Sequence, residues 1–437
     1  MRVGISDLLR LPGVRIPVGS PSTDVKGAAV DSRAVTPGCL FVGLRGESQD
    51  GGNFAWDALR AGAAAACVGE SAWRWIEPDV LPLGKPVLVT EDPLAVLQAA
   101  GRMALQSLGA KVVAVTGSTG KTTTKDIIVA MLRAAGVRAE GTPGNMNTEI
   151  GVPLSLLALP EDTEVAVIEM GMRGLGQIAE LARLAPPDVA CITAIGPAHL
   201  ELLGTVEAVA ASKAELIAAL TSGGVAVVPE HEPLLEPHLA QLADGVTVAR
   251  FGDRPDLALD LPLTTGWQLQ NAAAALACCR ALGHEPPSGA RVEVVLSAMR
   301  GQERPLPGGG TLIEDCYNAN PLAMRAALRD LAGRQGRRVA VLADMKELGT
   351  DEAVYHREVG QLAASAGIDL LVGVGDLGRH YVEGASGAIP AVHFPTVEQA
   401  MEGLAAHLAP GDVVLLKGSR GMALERVADA LAPSVGE

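Results

Sequence analysis

The sequence VVAVTGSTGKTTTKDIIVAM, residues 112–131, predicts a buried strand that turns through a glycine-rich loop into a helix. Gly117 and Gly120 would let the backbone approach phosphate oxygens closely, and the N–H groups of the loop and of the helix N-terminus would supply positive potential. Lys121 adds a formal charge, and Thr122 stands where a hydroxyl binds magnesium. The stretch therefore predicts a nucleotide-binding loop made of Gly117, Ser118, Thr119, Gly120, Lys121, Thr122 and Thr123.

The match to the usual phosphate-binding loop is incomplete. Val115 occupies the position of the first glycine, so a chance glycine-rich turn is the alternative interpretation. The strand before the loop and the helix after it favour nucleotide binding. Ile127, Ile128, Met131 and Leu132 recur at helical spacing, which predicts that they face the core rather than a ligand.

Composition limits the classes of protein to which the chain can belong. Its 437 residues suffice for about two to four domains. No run of about 18 uncharged apolar residues is present, and the first residues lack the features of a secretory signal. Thirty-five basic and 50 acidic residues give a net charge of −15, which disfavours a nucleic-acid or anionic-membrane surface. We expect a cytoplasmic monomer without nucleic-acid partners or membrane insertion.

The six cysteines are expected to be reduced and buried. They occupy positions 39, 67, 191, 278, 279 and 316, and no two of them form a C-x-x-C pair or follow metal-ligand spacing. Thiols in this arrangement are typical of a cytoplasmic protein.

Turn-rich segments divide the chain into three parts. Apolar runs at 28–30, 39–44 and 63–69 predict a small mixed α/β unit. The turn LPLGKP at 81–86 precedes a new apolar strand, PVLVT, and suggests a boundary near residue 84. The segment RGQERPLPGGG at 300–310 suggests a second boundary and a hinge. Beyond it, apolar strands alternate with helical patterns, as in an open doubly wound parallel sheet.

The central part carries three further candidates for chemistry. Glu169 ends the apolar strand EVAVIEMG, where a carboxylate could bind magnesium near the loop, although a solvated strand end is the alternative. His199 follows a Gly-Pro turn beside Glu201, and a structural role is as plausible as a functional one. Lys213, in ASKAEL, would ordinarily be a surface charge on a helix.

Nine segments in a fixed order resemble the Mur ligase superfamily of ATP-dependent amide ligases. Six are typical of the superfamily: GSTGKTTTK, GNMNTEIGVPLSLL, EMGMRGLGQI, IGPAHLE, SKAE and DCYNANP. Three more resemble the branch that adds D-alanyl-D-alanine to UDP-N-acetylmuramoyl-tripeptide: DSRAVTPGCLFVGLRGESQDGGNF, ADMKELG and LLKGSRGM. Each segment alone is weak, but together they span nearly the whole chain.

The resemblance implies an α/β protein of three domains. Residues 1–84 would bind the UDP-sugar-peptide, and residues 85–301 would form the central P-loop ATPase with a mostly parallel sheet. Residues 302–437 would form a C-terminal doubly wound, Rossmann-like domain for the incoming dipeptide. The implied reaction activates the tripeptide carboxylate as an acyl phosphate, which the dipeptide amine attacks to give the UDP-muramoyl-pentapeptide precursor of peptidoglycan, with release of ADP and phosphate.

The resemblance also implies roles for individual residues. Catalysis would rest on Lys121, Glu169, His199 and Lys213, and Lys213 would be carbamoylated by carbon dioxide. The expected magnesium-binding set is Thr122, Glu169, His199 and Lys213. Asn271 and Asp315 match positions that contact adenine and ribose of ATP.

The chain departs from the family pattern at several positions. Asn147-Thr148 replaces a common Asn-Asn pair, although both residues are kept as candidate substrate contacts. Ala194, Gly52 and Gln268 stand where Asn, His and His are frequent. The family's Gly-Arg before the C-terminal domain is reversed here, so the nucleotide-contacting arginine is either Arg300 or Arg304.

Two loops complete the predicted substrate contacts. Ser32 and Arg33 supply donors suited to a pyrophosphate or carboxylate, and the alternative is an internal pair between Asp31 and Arg33. Lys417, Ser419 and Arg420 follow the end of an apolar strand, where open α/β sheets bind ligands, although a charged loop is a comparable interpretation.

Two other functions compete with this hypothesis. A sister ligase would add a different residue to the same scaffold, but the meso-diaminopimelate-adding enzyme carries a D-N-P-[RK] signature that is absent here, and the related amidotransferase branch has a four-cysteine zinc ribbon. A nucleotide-switched binding module without ligation chemistry would leave Glu169, His199 and Lys213 without a purpose.

Overall fold

The computed structural model describes residues 2–75, 84–263, 265–297 and 299–432. Within these ranges the chain forms three main sheets in sequence order, together with a two-stranded ribbon. All six cysteines are buried and unbridged, as predicted. No helix in the described ranges is both long and apolar enough to cross a membrane.

The first sheet has five strands in the order β2-β7-β6-β5-β4. Strand β2 runs antiparallel to β7, and the other pairs are parallel. A separate ribbon pairs β1 with β3. The elements are β1 (Arg2–Gly4), α1 (Ile5–Leu8), β2 (Arg15–Val18), β3 (Asp24–Lys26), β4 (Ala28–Ala29), β5 (Leu40–Val42), α2 (Ala55–Ala61), β6 (Ala65–Gly69), α3 (Glu70–Trp73), β7 (Val87–Thr90) and α4 (Pro93–Leu108).

The strand expected to open the second domain belongs to the first sheet. Val87–Thr90 pairs in parallel with β6, with Ala66 opposite Val87 and Gly69 opposite Thr90. Val96, Leu97 and other residues of α4 are buried in the same core. The boundary near residue 84 therefore falls one strand too early, because a turn in the sequence marks a strand end without revealing which sheet the next strand joins. Residues 81–83 of that turn lie outside the described residues.

The second sheet has six strands in the order β13-β12-β11-β8-β10-β9, all parallel, which confirms the predicted central sheet. Alternate residues of β8 enter different cores, with Val112 and Ala114 on one face and Val113 and Val115 on the other. The elements are β8 (Lys111–Thr116), α5 (Lys121–Ala134), β9 (Ala139–Gly141), α6 (Gly151–Ala158), β10 (Val165–Glu169), α7 (Gln177–Leu184), β11 (Val189–Ile192), α8 (Leu200–Leu203), α9 (Val206–Ala218), β12 (Val225–Pro229), α10 (Glu236–Leu239), β13 (Thr247–Phe251) and α11 (Gly266–Ala281).

The third sheet has six strands in the order β14-β15-β19-β16-β17-β18, with only β14 antiparallel to its neighbour. Hydrophobic cores on both faces confirm the doubly wound prediction. Because β14 pairs within this sheet, the segment from residue 302 is fixed to the third domain, and only the residues before it are left as a hinge. The elements are β14 (Gln302–Pro305), β15 (Thr311–Glu314), α12 (Pro321–Ala332), β16 (Arg338–Ala343), α13 (Glu352–Ser365), β17 (Leu370–Val374), α14 (Gly378–Ala385), β18 (Ala391–Phe394), α15 (Val397–Gly403), β19 (Val413–Lys417) and α16 (Glu425–Leu431).

Candidate active site

A cavity of about 1340 Å³ lies between the second and third sheets. The parallel register aligns the carboxyl ends of β8, β10 and β11, and the loops that follow these strands reach the cavity. Most residues predicted from the sequence line it, including the glycine-rich loop from Ser118 onward, and the third domain contributes the opposite wall. The cavity is therefore the place where chemistry from the two domains can meet.

The glycine-rich loop has the backbone that the sequence predicts. Gly117 has φ +155°, and Gly120 precedes α5 with φ +79°. A Cβ atom at Gly117 would overlap the hydroxyl of Thr193, which itself donates to the main-chain oxygens of Thr116 and Thr119. A Cβ atom at Gly120 would overlap the amide of Asn271. These close neighbours leave no room for a side chain at either position, so both residues must be glycine. Asn271 lies beside the loop, as its predicted contact with adenine requires.

Two lysines of the second domain line the cavity, the half-buried Lys121 and the buried Lys213. Lys121 donates to the main-chain oxygen of Gly117 at 2.8 Å. Burial lowers the pKa of Lys121, Glu169 opposes this shift, and Arg300 adds to it. Lys213 is only 2% exposed, and its pKa lies well below the ordinary value because of burial and of repulsion by Lys121. No carboxylate among the described residues pairs with Lys213, so the sequence interpretation of a surface charge is wrong.

Glu169 presents one free oxygen to the interior of the site. Its side chain is 1% exposed, and Oε1 accepts from Nδ2 of Asn147 at 2.6 Å. Oε2 is buried without a hydrogen-bond partner among the described residues. A buried carboxylate oxygen without a partner is unfavourable unless a cation or donor completes it, so this atom fits a magnesium ligand.

His199 is held by a residue of the third domain. Its Nδ1 lies 2.6 Å from Oε2 of Glu347, across the interface between the domains. Bonding to His199 lowers the pKa of Glu347, against the opposing effect of burial, and the charges of His199 and Arg173 add to the lowering. The ring nitrogen that remains for a ligand is Nε2.

The metal donors do not form a closed cluster. Within the described part of the chain, no group of three or more His, Cys, Asp and Glu side chains is arranged to hold a metal ion. The predicted set of Thr122, Glu169, His199 and Lys213 includes only two side chains of those types. Such a sparse set suits magnesium, which usually keeps several waters and binds substrate phosphates as well.

The two candidate arginines have different surroundings. Nη2 of Arg300 donates to Oγ1 of Thr122 at 2.9 Å, and its guanidinium lies 4.1 Å from the ring centre of Tyr317. Arg304 instead bonds within its own domain, to Glu314, Asp429 and the main-chain oxygen of Ala432. Arg300 lines the cavity, so the geometry favours Arg300 for contact with the nucleotide.

The DCYNANP segment joins the third domain to the glycine-rich loop. Nδ2 of Asn320 donates to the main-chain oxygen of Ser118 at 3.0 Å. Asp315, predicted to contact ribose, accepts from Nζ of Lys417 at 2.6 Å, and Lys417 is 3% exposed. Lys417, predicted to contact substrate, is therefore largely engaged in a buried ion pair, although both residues line the cavity.

Other predicted substrate contacts also have partners within the protein. Oγ of Ser419 accepts from the main-chain N–H of Lys346 at 2.9 Å, which connects the loops after β19 and β16. Arg420 pairs with Glu425 at 2.5 Å. Thr148 lines the cavity beside Asn147.

The loop with Ser32 and Arg33 lies apart from the cavity. Neither residue is among the described residues that line it. Arg33 forms the internal pair considered above, with Nη2 2.6 Å from Oδ2 of Asp31, and hydrogen bonding to Arg33 lowers the pKa of Asp31 to about 2. Their contact with a substrate in the first domain stays a prediction.

Three contributors to the site were not identified from the sequence. Glu347, Asn320 and Tyr317 all lie in segments that carried the family resemblance, ADMKELG and DCYNANP. The signal was therefore present, but Glu347 and Asn320 act through distant partners, with separations of 148 for His199–Glu347 and 202 for Ser118–Asn320. Tyr317 instead packs against Arg300.

Comparisons with known proteins agree with this architecture. Residues 115–258 match the sequence model of the Mur ligase middle domain, and residues 299–420 match that of the Mur ligase, glutamate ligase domain. The chain is 35% identical to the UDP-N-acetylmuramoyl-tripeptide–D-alanyl-D-alanine ligase of Bacillus subtilis, over 94% of each chain.

Solved structures give the same result. The crystal structure I of MurF from Acinetobacter baumannii is similar with a TM-score of 0.84 and 28% identity, over 99% of both chains. The structure of MurF ligase from Thermotoga maritima in complex with ADP is similar with a TM-score of 0.80 and 29% identity, over 93% of this chain and 97% of that one.

Proposed function

This chain belongs to the Mur ligase family, and we propose that it joins D-alanyl-D-alanine to UDP-N-acetylmuramoyl-tripeptide with cleavage of ATP to ADP and phosphate. The observation that carries the proposal is the single cavity in which the glycine-rich loop, Glu169 and buried Lys213 face residues of the third domain. A binding module that only senses nucleotide would not need residues of the third domain opposite the glycine-rich loop. The product would be the UDP-muramoyl-pentapeptide.

Lys121 and Arg300 would stabilise the transfer of the γ-phosphoryl group. As a carboxylate oxygen of the tripeptide bonds to phosphorus, the bond from phosphorus to ADP breaks and leaves an acyl phosphate. Negative charge spreads over the oxygens in transit, and fixed cations in a cavity of low dielectric stabilise it most. Lys121 at the loop and Arg300 beside Thr122 are suited to this role.

The second step would form the amide bond. The amine of D-alanyl-D-alanine adds to the acyl carbon, phosphate leaves with the electrons of the C–O bond, and the nitrogen loses a proton. Water competes with the amine for the same carbon, so enclosure between the domains protects the intermediate. We place the dipeptide on the wall contributed by the third domain and the UDP-sugar on the first domain.

Magnesium is the cation that we propose for the site. Thr122, Glu169, His199 and Lys213 would hold it, and it would neutralise charge on the phosphates as Lys121 does. Magnesium prefers oxygen ligands, so we propose that the amine of Lys213 is carbamoylated and binds through a carbamate oxygen. Its lowered pKa favours this reaction, because only the neutral amine attacks carbon dioxide. We also propose a monomer in the cytoplasm, where ATP is available.

Phosphate release tests the proposed function directly. We expect ATP, magnesium and UDP-N-acetylmuramoyl-tripeptide to give phosphate only when D-alanyl-D-alanine is present, with a product whose mass has increased by the dipeptide residue. Turnover with a single amino acid, or with the sugar nucleotide that lacks peptide, would assign the chain to a sister ligase. No turnover with any of these substrates would refute ligase activity.

A further inference from the structure

Glu347 binds the loop that carries His199 at two points. Its Oε2 lies 2.6 Å from Nδ1 of His199, and its main-chain oxygen accepts the N–H of Glu201 at 3.3 Å. Arg173 lies farther away, with Nε 3.9 Å from Oε1 of Glu347. Glu347 follows β16 in the third sheet, whereas His199 follows β11 in the second. The contact therefore joins two domains at a residue expected to bind the metal.

The backbone on both sides of this contact is in an unfavourable conformation. His199 has φ +55° and Glu347 has φ +64°, in the left-handed region that residues with side chains seldom adopt. Gly349, with φ +69°, packs against Glu201, where an added Cβ would lie 3.5 Å from its Cα. Such conformations persist only where the surrounding structure holds them, and they concentrate at functional sites.

The chemistry of the pair determines which nitrogen of His199 is free. An ionised carboxylate accepts hydrogen bonds and cannot donate them, so Nδ1 of His199 must carry the proton in this contact. In the neutral ring, which holds a single proton, Nε2 then keeps its lone pair. A carboxylate that binds a histidine in this way fixes its tautomer and ring orientation, as it does for metal-binding histidines in general.

We propose that Glu347 is a positioning residue that fixes His199 as its Nδ1–H tautomer and so prepares Nε2 to bind the metal only when the third domain is docked on the second. The contact would make cation binding depend on the arrangement of the domains. An open enzyme would hold magnesium more weakly, and the site would be completed as the dipeptide-binding wall closes. The part of this inference that concerns magnesium rests on the proposed function, but the tautomer does not.

Histidine NMR of the metal-free protein tests the tautomer. With ¹⁵N-labelled histidine, we expect His199 in the full-length chain to show a protonated Nδ1 and an unprotonated Nε2. In Glu347→Ala the tautomer should shift towards Nε2–H, the form preferred in water. Glu347→Gln retains an acceptor and should give an intermediate spectrum. Asp351→Ala removes an exposed carboxylate four positions away and should leave the His199 signals unchanged.

Magnesium titration of the ligase reaction gives a second measurement. We expect Glu347→Ala to raise the magnesium concentration for half-maximal rate about tenfold, with a smaller change in Glu347→Gln and none in Asp351→Ala. An identical His199 tautomer in wild type and Glu347→Ala would overturn the inference, as would an unchanged magnesium requirement in Glu347→Ala. If no ligase activity is found, the proposed function fails, and the NMR comparison still decides the role of Glu347.

Discussion

A lysine amine buried in the same cavity as a second cation is unfavourable unless its charge can change. Lys213 is 2% exposed, Lys121 repels it, and no described carboxylate offsets its charge. Loss of the proton relieves the repulsion, and conversion to a carbamate reverses the sign of the charge. The environment of Lys213 is therefore better suited to the modified side chain than to an ammonium group.

Replacement of Lys213 tests this interpretation. We expect Lys213→Ala to lower the turnover number by about 100-fold or more, because an anion that helps to hold the metal is lost. Formate or acetate should restore part of the rate by supplying a carboxylate to the vacated space. Steady-state turnover with and without the added carboxylate measures both effects.

The matched control is Lys111→Ala, which removes an exposed lysine paired with Asp188 at 2.7 Å near the start of β8. It should retain nearly full turnover and should not respond to formate. Full activity in Lys213→Ala would refute the carbamate, whereas a loss that no short carboxylate reverses would leave only a packing role.

Among the elements, the glycine-rich loop between β8 and α5 depends most on its backbone. We expect Gly117→Ala to lower the free energy of unfolding by about 3 kcal/mol, since left-handed strain adds to a steric overlap with Thr193. Affinity for ATP should also fall, because Thr193 holds the main-chain oxygens of Thr116 and Thr119. Urea denaturation and nucleotide titration measure the two effects.

Gly109→Ala is a control that introduces left-handed backbone strain without a steric overlap. Gly109 ends α4 with φ +65°, and a Cβ there would have no neighbour within 4 Å. We expect this variant to lose about 1–2 kcal/mol of stability and to bind ATP normally. Equal effects of the two substitutions would contradict the role of Thr193.

The loop after β16 is held by a neutral histidine, which predicts a dependence of stability on pH. His356 is fully buried, its Nε2 accepts the N–H of Met345 at 3.0 Å, and its Nδ1 bonds to the main-chain oxygen of Glu352 at 2.6 Å. Burial lowers the pKa of His356 to about 4. The unfolded chain therefore binds a proton that the folded chain does not as pH falls from about 6.5 to about 4.

The sign of the effect follows from this difference. The contribution of neutral His356 to the free energy of unfolding is fully present above pH 6.5 and is lost towards pH 4, with a total of about 3 kcal/mol. His356→Gln cannot titrate, so the free energy of unfolding of wild type should fall more steeply than that of the variant over this range. Urea denaturation at several pH values measures the difference. Equal slopes for the two proteins would show that His356 is not buried as a neutral ring.

At the scale of the whole molecule, sequence and structure agree where the determinant is local. Strand β8, the glycine-rich loop and α5 follow from apolar runs, glycine positions and helical spacing, and the predicted core residues of α5 are buried. The membership of β7 in the first sheet could not be predicted, because a strand pattern does not identify its partner. The burial of Lys213 and its contact with the cavity depend on how α9 packs, which a single charged residue in an alanine-rich helix does not reveal.

Contacts between domains were the least predictable, although they complete the site. Asn320 combines a local and a distant role: its Oδ1 accepts the N–H of Ala323 at the start of α12 at 2.9 Å, and its Nδ2 donates to Ser118 at 3.0 Å. The local role is evident from Asn before Pro at the start of a helical pattern. The distant role requires the arrangement of two sheets, which no spacing in the sequence encodes.

Substitutions that keep one role of Asn320 and remove the other test how much the domain contact matters. Asn320→Asp and Asn320→Ser both keep an oxygen that can cap α12, but both lose the amide donor to Ser118. Loss of one hydrogen bond of about 1.4 kcal/mol would lower kcat/KM for ATP about tenfold. The free energy of unfolding should fall by no more than this hydrogen bond contributes, about 1.4 kcal/mol, since the cap is retained.

Asn320→Ala provides the comparison because it removes both roles. It should show the same loss in kcat/KM and an additional loss of stability of about 1 kcal/mol from the missing cap. If Asp and Ser at this position keep the full kcat/KM while only Ala is impaired, Asn320 acts through α12 alone. A loss shared by all three variants would instead mean that the bond from the third domain to the main chain of Ser118 helps to hold the glycine-rich loop in its working conformation.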